Sequence, residues 1–217
     1  MGSLVLPRVM LALRFGIVDI GMGNLHSVLS AMKQIGVEAT TVNSADQIGA
    51  YTHLILPGVG SFREASARLE STGIGEAIRG SVREGACLLG ICLGMQLLGT
   101  SSTEDGVSLG LGLIEFDVER FSSSEVGRAP VPHVGFSPVS ASPVELFEGI
   151  PDRSAFYFVH SYRVAEVTES TWCAHAEYGS RFVAAVALER VVGTQFHPEK
   201  SQGQGLRLLK NFALMGR

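Results

Sequence analysis

Across the first half of the chain, short apolar runs of strand length alternate with segments whose apolar residues recur at helical spacing. That alternation leaves few folds open, because strands buried on both faces must be covered by helices above and below. Phe15-Gly-Ile-Val-Asp-Ile20 reads as a buried strand. Leu25, Val28, Leu29, Met32 and Ile35 then share one helix face, and Gly36 ends that helix. Residues 37–42 and 53–56 read as the next strands, the second closed by Pro57-Gly58. Residues 63–69 and 76–84 have helical character, and residues 86–90 form a fourth strand. The expected fold class is α/β, with a mostly parallel central sheet flanked by helices.

The second half changes character. Residues 113–118, 156–159, 172–178, 182–188 and 191–196 are strand candidates with shorter connections, some of them expected to add antiparallel strands to the same sheet. Residues 203–214 read as a closing helix with Leu206, Leu208, Leu209, Phe212 and Leu214 available for burial. The polar stretch 122–128 reads as a surface loop, too short to separate two domains. With 46% hydrophobic and 18% charged residues, a chain of 217 residues can bury one sizeable core, which excludes wholesale disorder. We therefore expect one domain over 15–217, with 1–14 read as a disordered extension or as the result of an upstream start codon. Pro7 and Arg8 break the apolar start of that extension, and it lacks a signal-peptide cleavage site. No other segment approaches the ~20 apolar residues of a membrane span. The net charge of -4 supplies no basic surface for nucleic acid or an anionic membrane. Cys87, Cys92 and Cys173 make neither a disulfide framework nor a zinc pattern, which suits a reducing cytoplasm.

Chemistry concentrates at Gly90-Ile-Cys-Leu-Gly94, set between an apolar strand and the helical pattern Met95-Gln-Leu-Leu98. This is a nucleophile-elbow arrangement with Cys92 at its centre. The glycines matter because a sharp strand-to-helix turn brings backbones together and strains the nucleophile. A helix N-terminus at Cys92 favours a nucleophilic thiolate. A thiolate needs a base, and the base needs something to orient it. Of six histidines, His197 stands out, because Glu199 two residues on faces the same side of an extended backbone and Pro198 restricts the pair. Pro57-Gly-Val-Gly60 also follows a strand, and its backbone N–H groups, with that of Leu93, can face a developing oxyanion. Taken singly, these features are a buried cysteine, a loop histidine and a tight turn. No cluster has metal-ligand spacing, so neither a metal nor a cofactor is expected.

Six segments, in order, resemble the class I (triad-type) glutamine amidotransferases along nearly the whole chain. They are Ile-Val-Asp-Ile-Gly-Met-Gly-Asn at 17–24, Leu-Pro-Gly-Val-Gly at 56–60, Gly-Ile-Cys-Leu-Gly-Met-Gln at 90–96, Pro-His-Val-Gly at 132–135, Tyr-Phe-Val-His-Ser-Tyr at 157–162 and Gln-Phe-His-Pro-Glu-Lys-Ser at 195–201. The resemblance implies that Cys92 attacks the side-chain amide of L-glutamine, that His197 moves the protons and that Glu199 orients it. It implies Val59 and Leu93 as backbone oxyanion donors. Gly58, Gly60 and Gln96 would line the glutamine pocket, with His160, Ser161 and Tyr162 near the α-amino and carboxylate groups. His160 has an alternative reading as a satisfied core histidine.

Within the family, Gly-Met-Gly-Asn, Pro-Gly-Val-Gly and Pro-His-Val-Gly resemble the histidine-biosynthetic branch. Its glutaminase subunits pass ammonia to a cyclase with a (β/α)8 barrel, as a heterodimer. Asn24, Phe136, Tyr157 and Lys200 fall in segments that face this partner, although Lys200 also reads as a solvated strand-end charge. Phe136-Ser137 stands where most of the branch has Trp-Asn, and Gly99-Thr100 replaces frequent aromatic and acidic residues. These departures keep open a paralogous role, supplying ammonia to a sugar amidotransferase of surface-polysaccharide synthesis.

Overall fold

The computed structural model describes residues 13–216, so the expected N-terminal extension lies almost wholly outside the described residues. Strand β1 (Phe15–Val18) leads to α1 (Leu25–Gln34), β2 (Ala39–Val42), the single turn α2 (Ala45–Ile48) and β3 (His53–Gly58). Helices α3 (Phe62–Ser71) and α4 (Ile74–Arg83) precede β4 (Cys87–Cys92) and α5 (Leu93–Leu97). Short strands β5 (Ser101–Ser102), β6 (Ser108–Leu109) and β7 (Asp117–Arg120) follow, then α6 (Ser123–Val126) and β8 (His133–Val139). The chain ends with β9 (Ser154–His160), β10 (Tyr162–Val164), β11 (Trp172–Tyr178), β12 (Ser180–Leu188), β13 (Val191–Thr194) and α7 (Gln202–Leu214). Two 3-10 turns, Glu145–Phe147 and Pro198–Lys200, interrupt the loops.

The main sheet has the order β2-β1-β3-β4-β13-β12-β10-β7-β5-β6, with β11 paired to β12. Its first five strands are mutually parallel, and β12, β10 and β7 continue it antiparallel. Alternate side chains of each parallel strand enter opposite cores, as the period of two requires. Val18, Leu54, Leu56 and Leu88 pack with Phe62, Leu69 and Ile78 of α3 and α4. Ile17, Ile55, Leu89 and Ile91 pack with Val28 and Met32 of α1 and Leu208 and Phe212 of α7. Each such buried side chain contributes about 1.5–3 kcal/mol, so both helix layers hold the sheet at full cost of removal.

Four expectations need correction. The strand expected at 113–118 forms only from Asp117 onward. Leu111, Leu113 and Ile114 instead donate their N–H groups to the carbonyls of Leu97 and Leu98, satisfying the end of α5. Residues 122–128 contain helix α6 rather than a plain loop, because Ser122 and Glu125 form a capping box and Glu125 also pairs with the buried Arg163. The strand expected at 156–159 belongs to a separate two-stranded sheet, β8–β9. Leu214 is 40% exposed, so α7 buries its other apolar positions without it.

Candidate active site

The turn from β4 into α5 carries Cys92 at φ 56°, ψ −110°, a backbone conformation that costs free energy in a non-glycine residue. The flanking glycines are what allow it. A Cβ at Gly90 would come within 2.6 Å of the Gly94 carbonyl oxygen, and one at Gly94 within 1.7 Å of the Leu56 oxygen. The turn therefore nests against its own strand and against β3, where Gly58 is the register partner of Cys92. Gly58 supports the elbow through this close approach and does not line the cavity beside it, contrary to its expected place in a glutamine pocket.

The 3-10 turn after β13 brings in His197 and Glu199. Their side chains are 3% and 2% exposed, with His197 Nδ1 2.8 Å from Glu199 Oε1. The His197 N–H donates to the Tyr157 carbonyl, and its own carbonyl accepts from Ser201 Oγ, so both sides of the residue are tied to the fold. Gly205 lets α7 press on this turn, since a Cβ there would lie 1.9 Å from the Pro198 oxygen. With Nδ1 directed at Glu199, His197 Nε2 is a buried nitrogen lacking a hydrogen-bond partner. Burial alone would lower the His197 pKa. The neighbouring Cys92 sulfur and the Glu199 carboxylate outweigh it and raise the pKa from 6.5 to about 9. The arrangement is a buried sulfur, an imidazole with one committed and one open nitrogen, and a carboxylate behind it.

A cavity of about 300 Å³ opens beside Cys92, the scale of a small-metabolite site. Val59, Gly60, Leu93, Gln96, His160, Ser161 and Tyr162 line it, together with Glu104, Pro132 and Val159. Gln96 Nε2 donates to the Tyr162 carbonyl at 3.0 Å and to Gln195 Oε1 at 2.9 Å. Both amide hydrogens are spent, so Gln96 offers a ligand only its carbonyl oxygen. His160 has both ring nitrogens engaged, by His133 and by the Tyr162 carbonyl, and burial lowers its pKa to about 3. It walls the cavity as a satisfied core histidine and keeps no polar atom for a ligand.

The oxyanion expectation divides. Leu93 begins α5 at the cavity wall. The Val59 N–H instead donates to the Met22 carbonyl at 3.4 Å, away from the role expected of it. The reason is local: the loop after β1 passes alongside and offers its carbonyl. Sequence reasoning missed Glu104, whose Oε2 accepts from the Phe62 N–H at 2.6 Å. A lone acid in a loop carries no motif. Gln195 lies in the 195–201 segment, where only its neighbours His197, Glu199 and Lys200 carried an expected role.

Three of the expected interface residues cluster. The rings of Phe136 and Tyr157 meet at 5.5 Å, and Lys200 Nζ lies 5.7 Å from the Tyr157 ring centroid. Asn24 caps α1 by accepting from the Ser27 N–H at 3.2 Å, so it has a structural task of its own. No group of three or more His, Cys, Asp or Glu among the described residues is arranged to hold a metal ion.

A family model described as glutamine amidotransferase class-I matches residues 16–215. Imidazole glycerol phosphate synthase subunit HisH of Syntrophotalea carbinolica is 43% identical over 203 residues, covering 92% of this chain and 98% of that protein. The protein of the same name from Moorella thermoacetica is 42% identical, covering 90% and 92%. Among solved structures, a glutamine amidotransferase superposes with a TM-score of 0.71 at 23% identity, covering 91% of this chain and 96% of that one. PurLQS from Thermotoga maritima does so with a TM-score of 0.75 at 18% identity, covering 95% and 100%. Those two likenesses concern the fold alone.

Proposed function

The chain belongs to the class I glutamine amidotransferases, and from that membership we propose that it is the glutaminase subunit of an imidazole glycerol phosphate synthase. It hydrolyses L-glutamine to glutamate and passes ammonia to a cyclase subunit in histidine biosynthesis. The partner is a (β/α)8 barrel bound as a heterodimer, and the free thiols suit a cytoplasmic setting. The single observation that carries the chemistry is the open Nε2 of His197, buried with Cys92 acting on it while Nδ1 is held by Glu199.

In this reading the Cys92 proton rests on His197, whose raised pKa holds it there, and the Cys92 thiolate attacks the amide carbon of glutamine. His197 returns the proton to the departing ammonia, leaving a glutamyl thioester. Water then attacks the thioester with His197 as base, and Cys92 is regenerated. Glu199 holds the imidazolium that forms in each half-reaction. Leu93 N–H serves the oxyanion directly. Val59 N–H serves it only after the 58–59 peptide turns from Met22, which the adjacent Gly58 and Gly60 permit. Gln96 Oε1 and the Glu104 carboxylate are acceptors in the cavity, and they suit the α-ammonium group of glutamine. Asn24, Phe136, Tyr157 and Lys200 form part of the surface that meets the cyclase.

The test is glutamate release by the wild-type chain and by Cys92→Ala, alone and with the cyclase subunit plus its nucleotide ligand. Strong stimulation that disappears in Cys92→Ala is the expected result. Stimulation by a sugar-modifying synthase, with none by the cyclase, would move the chain to the paralogous pathway.

A further inference from the structure

We propose that Gln195 is a catalytic residue of this site, a side-chain amide donor that holds the Cys92 sulfur and favours its anionic form during attack. The inference rests on Cys92 being the glutaminase nucleophile. Gln195 is fully buried, and its Nε2 lies 3.7 Å from Cys92 Sγ. An amide can point either way, so the direction of the donor must be earned from its surroundings.

The surroundings settle it. The Tyr162 carbonyl can only accept, and it lies 3.0 Å from Gln96 and 2.8 Å from His160 Nδ1. Gln96 must therefore present its NH₂ group there, and the same NH₂ meets Gln195 2.9 Å away. Gln195 answers with its oxygen, which leaves its own NH₂ facing the sulfur. Reversing Gln96 would set its oxygen against the Tyr162 carbonyl and the Gln195 oxygen, and reversing Gln195 would oppose two NH₂ groups, each in a buried site.

The second contact of the sulfur explains why this donor matters. Cys92 Sγ lies 3.8 Å from the Val159 carbonyl, an acceptor that can receive the thiol hydrogen. Once that hydrogen passes to His197, the carbonyl oxygen faces a negative sulfur and no longer helps. The Gln195 N–H strengthens at the same moment, because hydrogen bonds to ionised acceptors are the stronger kind. Its contribution is thus larger in the thiolate form that attacks than in the thiol form.

The experiment compares wild type, Gln195→Glu and Gln195→Met in the full chain with its cyclase partner. Gln195→Glu keeps an oxygen for Gln96 and deletes the donor. Gln195→Met removes the donor without introducing charge, and covers the case in which a buried carboxylate prevents folding. Glutaminase kcat and KM are measured beside the pH dependence of Cys92 alkylation by iodoacetamide. We expect kcat to fall about ten- to hundredfold with KM for glutamine changed less than about threefold. The pH midpoint of alkylation should rise by about one unit, a tenfold change in ionisation equilibrium. A lowered melting temperature with an unmoved alkylation profile and proportionate losses in KM would overturn the proposal, leaving Gln195 a packing residue. Wild-type activity in both variants would overturn it as well. If the wild-type chain releases no glutamate with any partner, the glutaminase reading fails, and the alkylation profiles still report whether Gln195 acts on the sulfur.

Discussion

His197 carries its pKa of about 9 because of two neighbours acting against burial, and this sets how stability depends on pH. A group whose folded pKa is raised contributes stability that is present below its unfolded value, near 6.5, and lost as pH climbs through about 9. His133 and His160 act in the opposite sense, since burial lowers them to about 4 and about 3. They are neutral in the fold, so their contribution is present above about 6.5 and lost as pH falls toward 4. Thermal unfolding should therefore show a stability maximum near pH 6.5, falling toward pH 9 on the alkaline side and toward pH 4 on the acid side. Glu199→Gln removes one of the two groups holding the imidazolium. We expect it to flatten the alkaline fall, measured as the melting-temperature difference between pH 7 and 9.5, and to lower kcat at least tenfold. An unchanged alkaline limb would mean that Cys92 alone sustains the His197 charge.

At the scale of elements, the site is made by three close approaches of backbone, each through glycine. Gly94 lets the elbow meet β3, Gly90 lets the elbow fold over its own strand, and Gly205 lets α7 press on the turn that bears Glu199. Gly205 belongs to no catalytic motif, which makes it the sharper test. Gly205→Ala introduces a carbon 1.9 Å from the Pro198 oxygen, and α7 or the turn must shift. Overpacking of this kind costs about 1–3 kcal/mol, or a melting-temperature loss of about 3–10 °C for a chain of this size. A displaced Glu199 should also lower kcat at least tenfold, while Gly203→Ala, with open space around it, leaves both properties near wild type. Calorimetry and a glutamate assay on the two variants separate these outcomes.

For the whole molecule, the question is what covers the exposed side of the site. Val134 and Phe136 on β8 are 57% and 51% exposed, unlike the buried aromatics around them. Phe136 rests on Tyr157, which in turn lies under Lys200, one residue from Glu199. An apolar ring beside a cation suits a partner surface with both apolar and acidic groups. Phe136→Asp should weaken cyclase binding at least tenfold in a titration, the size expected for an aromatic anchor. Glutaminase activity measured without the partner should stay within twofold of wild type, because Phe136 touches neither the cavity nor His197.

Much of this was legible before any coordinates. Local chemistry determines local structure, so the strand–helix alternation, the glycines around Cys92, the Cys-His-Glu order and the apolar faces of α1 and α7 could be read residue by residue. The same holds for the capping box at Ser122 and Glu125, which was present in the sequence and read as loop polarity instead. What only the tertiary structure decided are the contacts between residues distant in the chain. Gln195 reaches Cys92 across 103 positions, and Gln96 reaches Tyr162 across 66. The turning of Val59 N–H toward Met22 and the closing of both His160 nitrogens are likewise outcomes of packing. A sequence pattern states which groups can donate or accept, but a hydrogen bond exists only where the fold sets donor and acceptor within reach and in line. For that physical reason, the candidate nucleophile Cys92 was legible in the sequence, and the direction of the Gln195 amide beside its sulfur was decided by the fold.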